Sequence, residues 1–447
     1  MIFEVERRIW KMKKLLAMIL GVVMLISMVG CGDTQTADKK EKFDTFVAGF
    51  GKTIITPEYA VHLDSHGDTE TRISRGVLTD LFALTVAMSD TEGNTVLWIN
   101  TDLTHGTITM ANVVRKAVEE KYGIPKENVI LGGTHNHSSV AYGYEAEANK
   151  RFQEDWLAGV MKSIDTALED RAPATMEIGR TESEGLAFSR RYWREDGNLL
   201  SGGPEKYSPA SDAPLVSHES EVDEEIQMVR FVREEKKDIL ITQWQNHACY
   251  VSGNPSNEDH YKISAEWPGI MRDKVEAELD VHCIYFQGAS GNLSEKSKLE
   301  GETKSKSFSE HGNMLADYVI SAYNDGTTFE KKETGTIQTN QTYLTPERSG
   351  AWSSTDPEMN AISIGDVALV TLPQEMFDSD GKYIKTESPF AMTLIMGYAC
   401  STAGYAAPDW AAPNGGYETV NGPFALGTAE LFKDHYIKTL KALFEQK

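Results

Sequence analysis

The sequence is poor in cysteine. Its four cysteines in 447 residues, Cys31, Cys249, Cys283 and Cys400, match neither a CxxC motif nor a zinc ribbon, so a disulfide framework and a thiolate metal site are both excluded. Basic residues are also scarce: 44 Lys and Arg stand against 67 Asp and Glu, a formal charge of −23. Phosphate contacts need a basic face, which rules out nucleic acid as a partner. No uncharged apolar run reaches the roughly 20 residues of a membrane span. There is no HExxH motif, no internal repeat and no Pro/Gly/Ser-rich linker inside the main body. One large domain is therefore expected over residues 46–447. What is present, 40% hydrophobic and 25% charged residues, is ordinary for a chain that buries a sizeable core.

The longest apolar run, Leu15 to Gly30, has the length of a secretion signal. Lys11, Lys13 and Lys14 precede it, and Met28-Val29-Gly30-Cys31 ends it before a polar stretch. Small residue, cysteine and polar tether together predict a bacterial lipoprotein signal over 1–30, lipidation at Cys31 and a tether over 31–45. An ordinary signal peptide or an uncleaved anchor would leave part of the same pattern. Glu4 and Glu6 are out of place in a basic leader, so Met12 is an alternative start to Met1. The expected location is the outer face of a bacterial cell membrane, reached through the lipid anchor.

Beyond Phe46, apolar β-rich runs alternate with amphipathic helical stretches. Strands are expected at 46–55, 77–88, 95–100, 128–133, 174–180, 226–233, 238–245, 282–287, 333–342, 361–371 and 391–397, and helices at 107–122, 149–168, 266–279, 307–323 and 427–444. Polar stretches at 193–225, 295–306 and 343–358 read as long surface loops. The fold class is mixed α/β, with mixed sheets flanked by helices.

Unusual polar residues fall at the carboxyl ends of predicted strands, where α/β proteins bind ligands. Asn128–Gly133 runs into Thr134-His135-Asn136-His137. The run 238–245 leads into Asn246-His247, and 282–287 into Gly288-Ala289-Ser290-Gly291-Asn292-Leu293-Ser294. The run 361–371 leads into Leu372-Pro373-Gln374-Glu375, and 391–397 into a small-residue loop holding Tyr405. Two imidazoles, a carboxylate and a phenol suit Zn²⁺ with an open position for water, whose pKa the ion would lower to about 7. Spacing alone favours the ordinary reading, hydrogen-bonded strand-end histidines. His-x-His on an extended segment puts both rings on one side. The small-residue turn offers backbone N–H groups for an oxyanion, or is simply a glycine turn; it is not a GxSxG elbow.

Taken together, these segments resemble the catalytic domain of the neutral, non-lysosomal ceramidases. The carriers, in family order, are AGFGKTIITP, WINTDL, NVILGGTHNHSSVAYGY, WQNHACYVSG, ISAEWPG, FQGASGNLS, LPQEMF and GYETVNGPFALGTAELF, spanning about residues 46–445. The resemblance implies one zinc per chain, bound by His135, His247, Glu375 and Tyr405. It places His137, Arg190 (with Arg191 as the alternative) and Tyr417 beside the substrate, and a catalytic serine at Ser294, as nucleophile or water-positioning group. The chain departs from the pattern at Ser138-Ser139-Val140-Ala141, where the family is glycine-rich; at Ala248, where it has proline; at Glu295-Lys296, where it has Pro-Asn; and at Thr402-Ala403-Gly404. A C-terminal immunoglobulin-like domain is not expected.

The function this implies is zinc-dependent hydrolysis of the amide of an N-acyl lipid such as ceramide, giving fatty acid and amine. The alternatives are a zinc esterase, another N-acyl amide hydrolase, or a surface lipoprotein that binds lipid or glycan without catalysis. The oligomeric state is not readable from the sequence.

Overall fold

The computed structural model describes residues 41–64, 68–351 and 354–447. The signal segment 1–30, Cys31 and most of the tether lie outside these residues. Alternating apolar and small residues give β1 (Val47–Ile54), β2 (Phe82–Ser89), β3 (Thr95–Thr101) and, after helix α1 (Ile108–Tyr122), β4 (Val129–Gly133). Helix α2 (Glu147–Glu169) leads to β5 (Ala172–Glu182), β6 (Glu225–Arg233) and β7 (Ile239–Trp244). Helix α3 (Glu266–Leu279), β8 (His282–Gln287) and helix α4 (Phe308–Asn324) follow. The rest comprises β9 (Ile337–Tyr343), β10 (Glu358–Ile364), β11 (Val367–Leu372), helix α5 (Asp378–Glu387), β12 (Met392–Gly397) and helix α6 (Thr428–Glu445).

The main sheet runs β8-β7-β6-β5-β1-β2-β3-β4, with Glu330–Lys332 as a short extra strand against β5. Its middle is antiparallel, but both ends close on parallel pairs, β3/β4 and β7/β8. A second sheet, β9-β10-β11-β12, ends on the parallel pair β11/β12. Parallel neighbours release their chains at the same edge, so the pairs end together at Thr101 and Gly133, Trp244 and Gln287, and Leu372 and Gly397. Strand β12 packs against β4, β7 and β8, which brings the three edges to one place. Helix α2 covers β1 and β2, α3 and α4 cover the β7/β8 side, and α5 and α6 cover the second sheet.

Residues 42–447 form one compact unit. Among the described residues no helix is long and apolar enough to cross a membrane.

The expected elements are present with four corrections. The run 361–371 is two strands, because the chain folds back at Gly365-Asp366 and pairs Ile364 with Val367; two buried apolar strands joined by a two-residue turn read as one run. Strand 77–88 starts only at Phe82, since Val77 to Leu81 cross to other loops through single bridges and turns. Helix α5 went unpredicted because Asp378, Asp380 and Gly381 look like a turn; the carboxylates instead occupy its first turn, where they complement the helix dipole. The polar stretch 193–225 contains a small sheet of Tyr192–Arg194, Leu199–Leu200 and Leu215–His218.

Candidate metal centre and active site

The polar residues gather where the three parallel pairs end. His135 leaves β4 with φ of 57°, a left-handed turn that a non-glycine residue adopts only under tertiary constraint. The constraint is visible: its ring stacks on Tyr398 with centroids 3.7 Å apart, and its Nδ1 lies 3.1 Å from the Thr104 carbonyl oxygen. A carbonyl only accepts, so Nδ1 carries the proton and the Nε2 lone pair faces the site. The His137 N–H donates to the Ala248 carbonyl at 3.0 Å, tying this loop to the one that carries His247. The Trp267 indole N–H donates to the His247 carbonyl at 2.9 Å. Glu375 and Tyr405 are register partners on two short parallel strands.

Nε2 of His135 and Nε2 of His247 each lie 3.5 Å from the same Glu375 oxygen, Oε2. Oε2 is buried and accepts no hydrogen bond. Ligand atoms 2.0–2.2 Å from a tetrahedral zinc stand roughly 3.3–3.6 Å apart, so each nitrogen–oxygen pair has the spacing of a zinc edge. His137 Nε2 is 3.1 Å from His135 Nε2, and His135, His137 and His247 form a group able to hold a metal ion. The structure thus adds His137 to the metal-binding candidates. Arg190 Nη1 sits 3.3 Å from His247 Nε2, so an ion on that nitrogen requires Arg190 to rest on its other partners.

Those partners are strong. Arg190 donates to Glu418 Oε1 at 2.9 Å, to the Gly291 carbonyl at 2.8 Å and to the Tyr405 hydroxyl at 2.9 Å. Arg191 points elsewhere: it is buried and pairs with Glu219 and with the second Glu418 oxygen. Only Arg190 of the two lines the cavity. Tyr417 meets Tyr405 edge to face at 5.3 Å.

The cavity measures about 940 Å³. His135, His137, His247, Glu375 and Tyr405 line it together with Arg190, Tyr417, Tyr207, Ser294 and Glu295. The Ser294 Oγ accepts from the Lys296 N–H at 3.3 Å, and among the described residues no imidazole or carboxylate hydrogen-bonds it. The turn before it has little to offer an oxyanion, since the N–H groups of Gly288, Gly291 and Leu293 already donate to the carbonyls of Trp244, Met376 and Ser290.

The cluster combines a neutral imidazole with a carboxylate, with the Arg190 charge close by. Burial, then the Arg190 charge, hold His247 down at about 3, so it is neutral with its lone pair available. Burial alone would raise the Glu375 carboxyl, but His135 and His247 beside it pull it well below the usual range. Burial pushes the Tyr405 phenol well up, against the pull of Arg190.

Several contributors escaped the sequence reading. Tyr398, the platform for His135, directly follows β12 and could have been suspected there. His105 meets the His135 ring at 5.4 Å and lines the cavity; it also follows a strand end, after Thr101-Asp102-Leu103-Thr104. Arg72 is buried and donates to the carbonyls of Asp64, His137 and His260 at 2.7, 2.8 and 2.8 Å, clamping three loops. Nothing local in the sequence marks Arg72 or Glu418, whose partners lie far away along the chain.

Fold and site together define an α/β protein with a buried histidine–carboxylate cluster, of metal-binding geometry, at the meeting point of three parallel strand pairs. The chain belongs to the neutral/alkaline non-lysosomal ceramidase family, whose N-terminal domain profile matches residues 46–280. Its fold is similar to that of a ceramidase complexed with C2, with a TM-score of 0.72 and 16% identity over 90% of this chain and 76% of that one. It is equally similar to neutral ceramidase from Pseudomonas aeruginosa, with a TM-score of 0.71 and 16% identity over 90% of this chain and 75% of that one.

Proposed function

We propose that this protein is a zinc-dependent amidohydrolase that cleaves the amide of an N-acyl lipid such as ceramide, giving free fatty acid and amine. The observation that carries the reading is the Glu375 oxygen without a hydrogen-bond partner, equidistant at 3.5 Å from two histidine nitrogens. A buried carboxylate oxygen left unpaired is costly unless a ligand satisfies it. Family membership supplies the reaction class, and one ligand complex in the family fold is with C2.

His135, His247 and Glu375 would hold the ion, with Tyr405 as the fourth ligand carried over from the resemblance. Zinc supplies Lewis acidity, lowering the pKa of water to about 7 and polarising a carbonyl. Arg190, fixed by Glu418, presents a permanent positive charge to the carbonyl oxygen as it gains charge. Tyr417, on the Arg190 side of the cavity, orients the amide, and His137 exchanges a proton with the attacking water. Ser294 positions that water: a serine without a neighbouring base is a weak nucleophile. The 940 Å³ cavity is large enough to take the amide and the first part of each substituent.

Secretion and lipidation at Cys31 would tether the domain, residues 46–447, to the outer face of the cell membrane, where its substrates lie. Labelling with a radioactive fatty acid, abolished by Cys31→Ser, tests the anchor. The test of the activity is metal content of the purified protein together with hydrolysis of a fluorescent N-acyl-sphingosine. One zinc per chain with cleavage is the expected outcome. Absence of zinc after reconstitution would overturn the reading, and zinc without cleavage of this amide would move the substrate to another N-acyl amide.

A further inference from the structure

A second cavity, of about 580 Å³, adjoins the first at Asp64, Thr104 and His105, which line both. The junction stands beside a candidate metal ligand. The Thr104 carbonyl oxygen lies 3.1 Å from His135 Nδ1, and the His105 ring meets that of His135 at 5.4 Å. Asp64 is fixed there by its main chain: its N–H donates to the Ser139 carbonyl at 2.9 Å, and its own carbonyl accepts from Arg72 at 2.7 Å.

The buried lining of this second cavity is apolar, with Leu103, Met110, Val140 and Ala141. Val140 and Ala141 belong to the stretch that departs from the family's glycine-rich pattern, so these side chains are this chain's own. The more exposed lining is polar, at Thr69, Thr109, Glu145 and Gln153. Among the described residues two acids, Asp64 and Glu145, line the cavity, and no lysine or arginine does. Glu145, at the edge, pairs with Lys150 at 2.8 Å, while Asp64 stands at the inner end. Arg72, which holds the Asp64 carbonyl, is buried and lines neither cavity. At His247 the neighbouring charge has the opposite sign, with Arg190 Nη1 3.3 Å from its Nε2.

Amide cleavage yields a carboxylate and an amine. A cavity lined by charges of one sign over apolar walls concentrates the opposite sign, so the carboxylate suits the neighbourhood of Arg190 and the amine that of Asp64. We propose that the second cavity is the subsite for the amine side of the substrate, and that it takes a short hydrocarbon limb ending in a second, positively charged amino group. The inference rests on the amidohydrolase reading above and specifies its amine. Leu103, Met110 and Val140 cover the methylenes of the limb, which leave water on entering. Asp64 sets the preference for the charge, and is the specificity-determining residue.

The experiment compares two amides of dodecanoic acid in the full-length protein, one with 1,3-diaminopropane and one with butylamine, which differ only in an ammonium group for a methyl. Wild-type kcat/KM should be about tenfold or more higher for the diaminopropane amide, the size of one charge-assisted hydrogen bond. Asp64→Asn should bring that ratio to within about threefold of one. A wild-type ratio of one or less, or a ratio unchanged in the variant, would overturn the subsite. Should Asp64→Asn not fold, Thr109→Trp tests the same cavity from its exposed edge, where the indole takes up the space of the limb. It should lower kcat/KM for the diaminopropane amide about tenfold relative to dodecanamide, whose nitrogen carries no limb. An unchanged ratio overturns the subsite, and so does a loss that follows acyl length, from acetyl to dodecanoyl, because the acyl chain would then occupy the cavity. Wild-type protein that binds zinc but cleaves none of these amides would remove the amidohydrolase reading and this subsite with it. Cleavage without preference between the two amines would remove the subsite alone.

Discussion

His135, His247 and Glu375 stand at strand ends and are held largely by main-chain bonds: His137 N–H to Ala248, Trp267 to the His247 carbonyl, Glu375 N–H to Gly404. Arg190, Tyr417 and Ser294 stand beside them on shorter elements: Arg190 just after the two-residue strand Phe188–Ser189, Ser294 on a two-residue strand and Tyr417 on a short helix. There the anchor is charge, with Arg190 and Arg191 sharing the two oxygens of buried Glu418. A metal site tolerates little displacement of its ligands, and strand ends supply that rigidity. A substrate wall built on loops and ion pairs can change without disturbing the ligands, as the departure at Glu295-Lys296 shows, whereas the departures at Ser138, Ala248 and Thr402-Ala403-Gly404 flank the metal side.

The largest effect should follow from removing a ligand. His135→Ala should reduce bound zinc from one per chain to none and amide hydrolysis to background, measured by metal analysis and turnover of one preparation. A fully active variant with stoichiometric zinc would break the comparison at its rigid side. Next comes the charged wall. Glu418→Ala leaves two arginines buried without their common partner, and breaking such a pair costs about 3–5 kcal/mol, to be read from urea unfolding at pH 7. Folded variant should still bind zinc; loss of the metal would show that the two walls are not independent.

The metal side is the more legible of the two in the amino-acid sequence. Its residues follow apolar runs, so the strand-end pattern brings His135, His247 and Glu375 among the candidates, and the resemblance then picks them out. The register that makes Glu375 and Tyr405 neighbours is not legible there, because each sits on a strand of two residues. The charged wall is legible only at Arg190 and Tyr417, and through resemblance rather than pattern. Glu418 lies 228 positions from Arg190, and no local signal reports so distant a pairing. Even the conformation of His135 is invisible in sequence, since its positive φ is imposed by Tyr398 and Thr104, which follow other strand ends.

A pH experiment probes the rigid side from behind. His311 is fully buried against Trp244 and Trp267, the latter being the donor to His247. Burial, then Lys296, lower its imidazole to about 3. The unfolded chain takes up a proton near pH 6.5 and the folded chain does not, so stability falls as pH drops from about 6.5 towards 3. At pH 4.5 this amounts to about 2–3 kcal/mol. His311→Gln should flatten that part of the curve in metal-free protein, whatever its effect at pH 7. An unchanged slope between pH 6.5 and 4.5 would show that other groups govern acid sensitivity.

The smallest effect is expected from Gly203, on the loop that roofs the charged wall. Its φ is +74°, and a Cβ there would lie 2.5 Å from the Tyr417 ring. Gly203→Ala therefore meets two costs: the left-handed backbone, about 1–2 kcal/mol for an L-residue, and a contact that only movement of Tyr417 relieves. Tyr417 has Tyr207 on one side and Tyr405 on the other, so its movement alters the substrate wall before the ligands. Stability should drop by about 1–2 kcal/mol, KM for the amide should rise several-fold, and bound zinc should be unchanged. A variant with normal KM but lower zinc would invert the comparison: the displaced ring would have passed its movement through Tyr405 into the metal site, and Tyr405 would then belong to the rigid side.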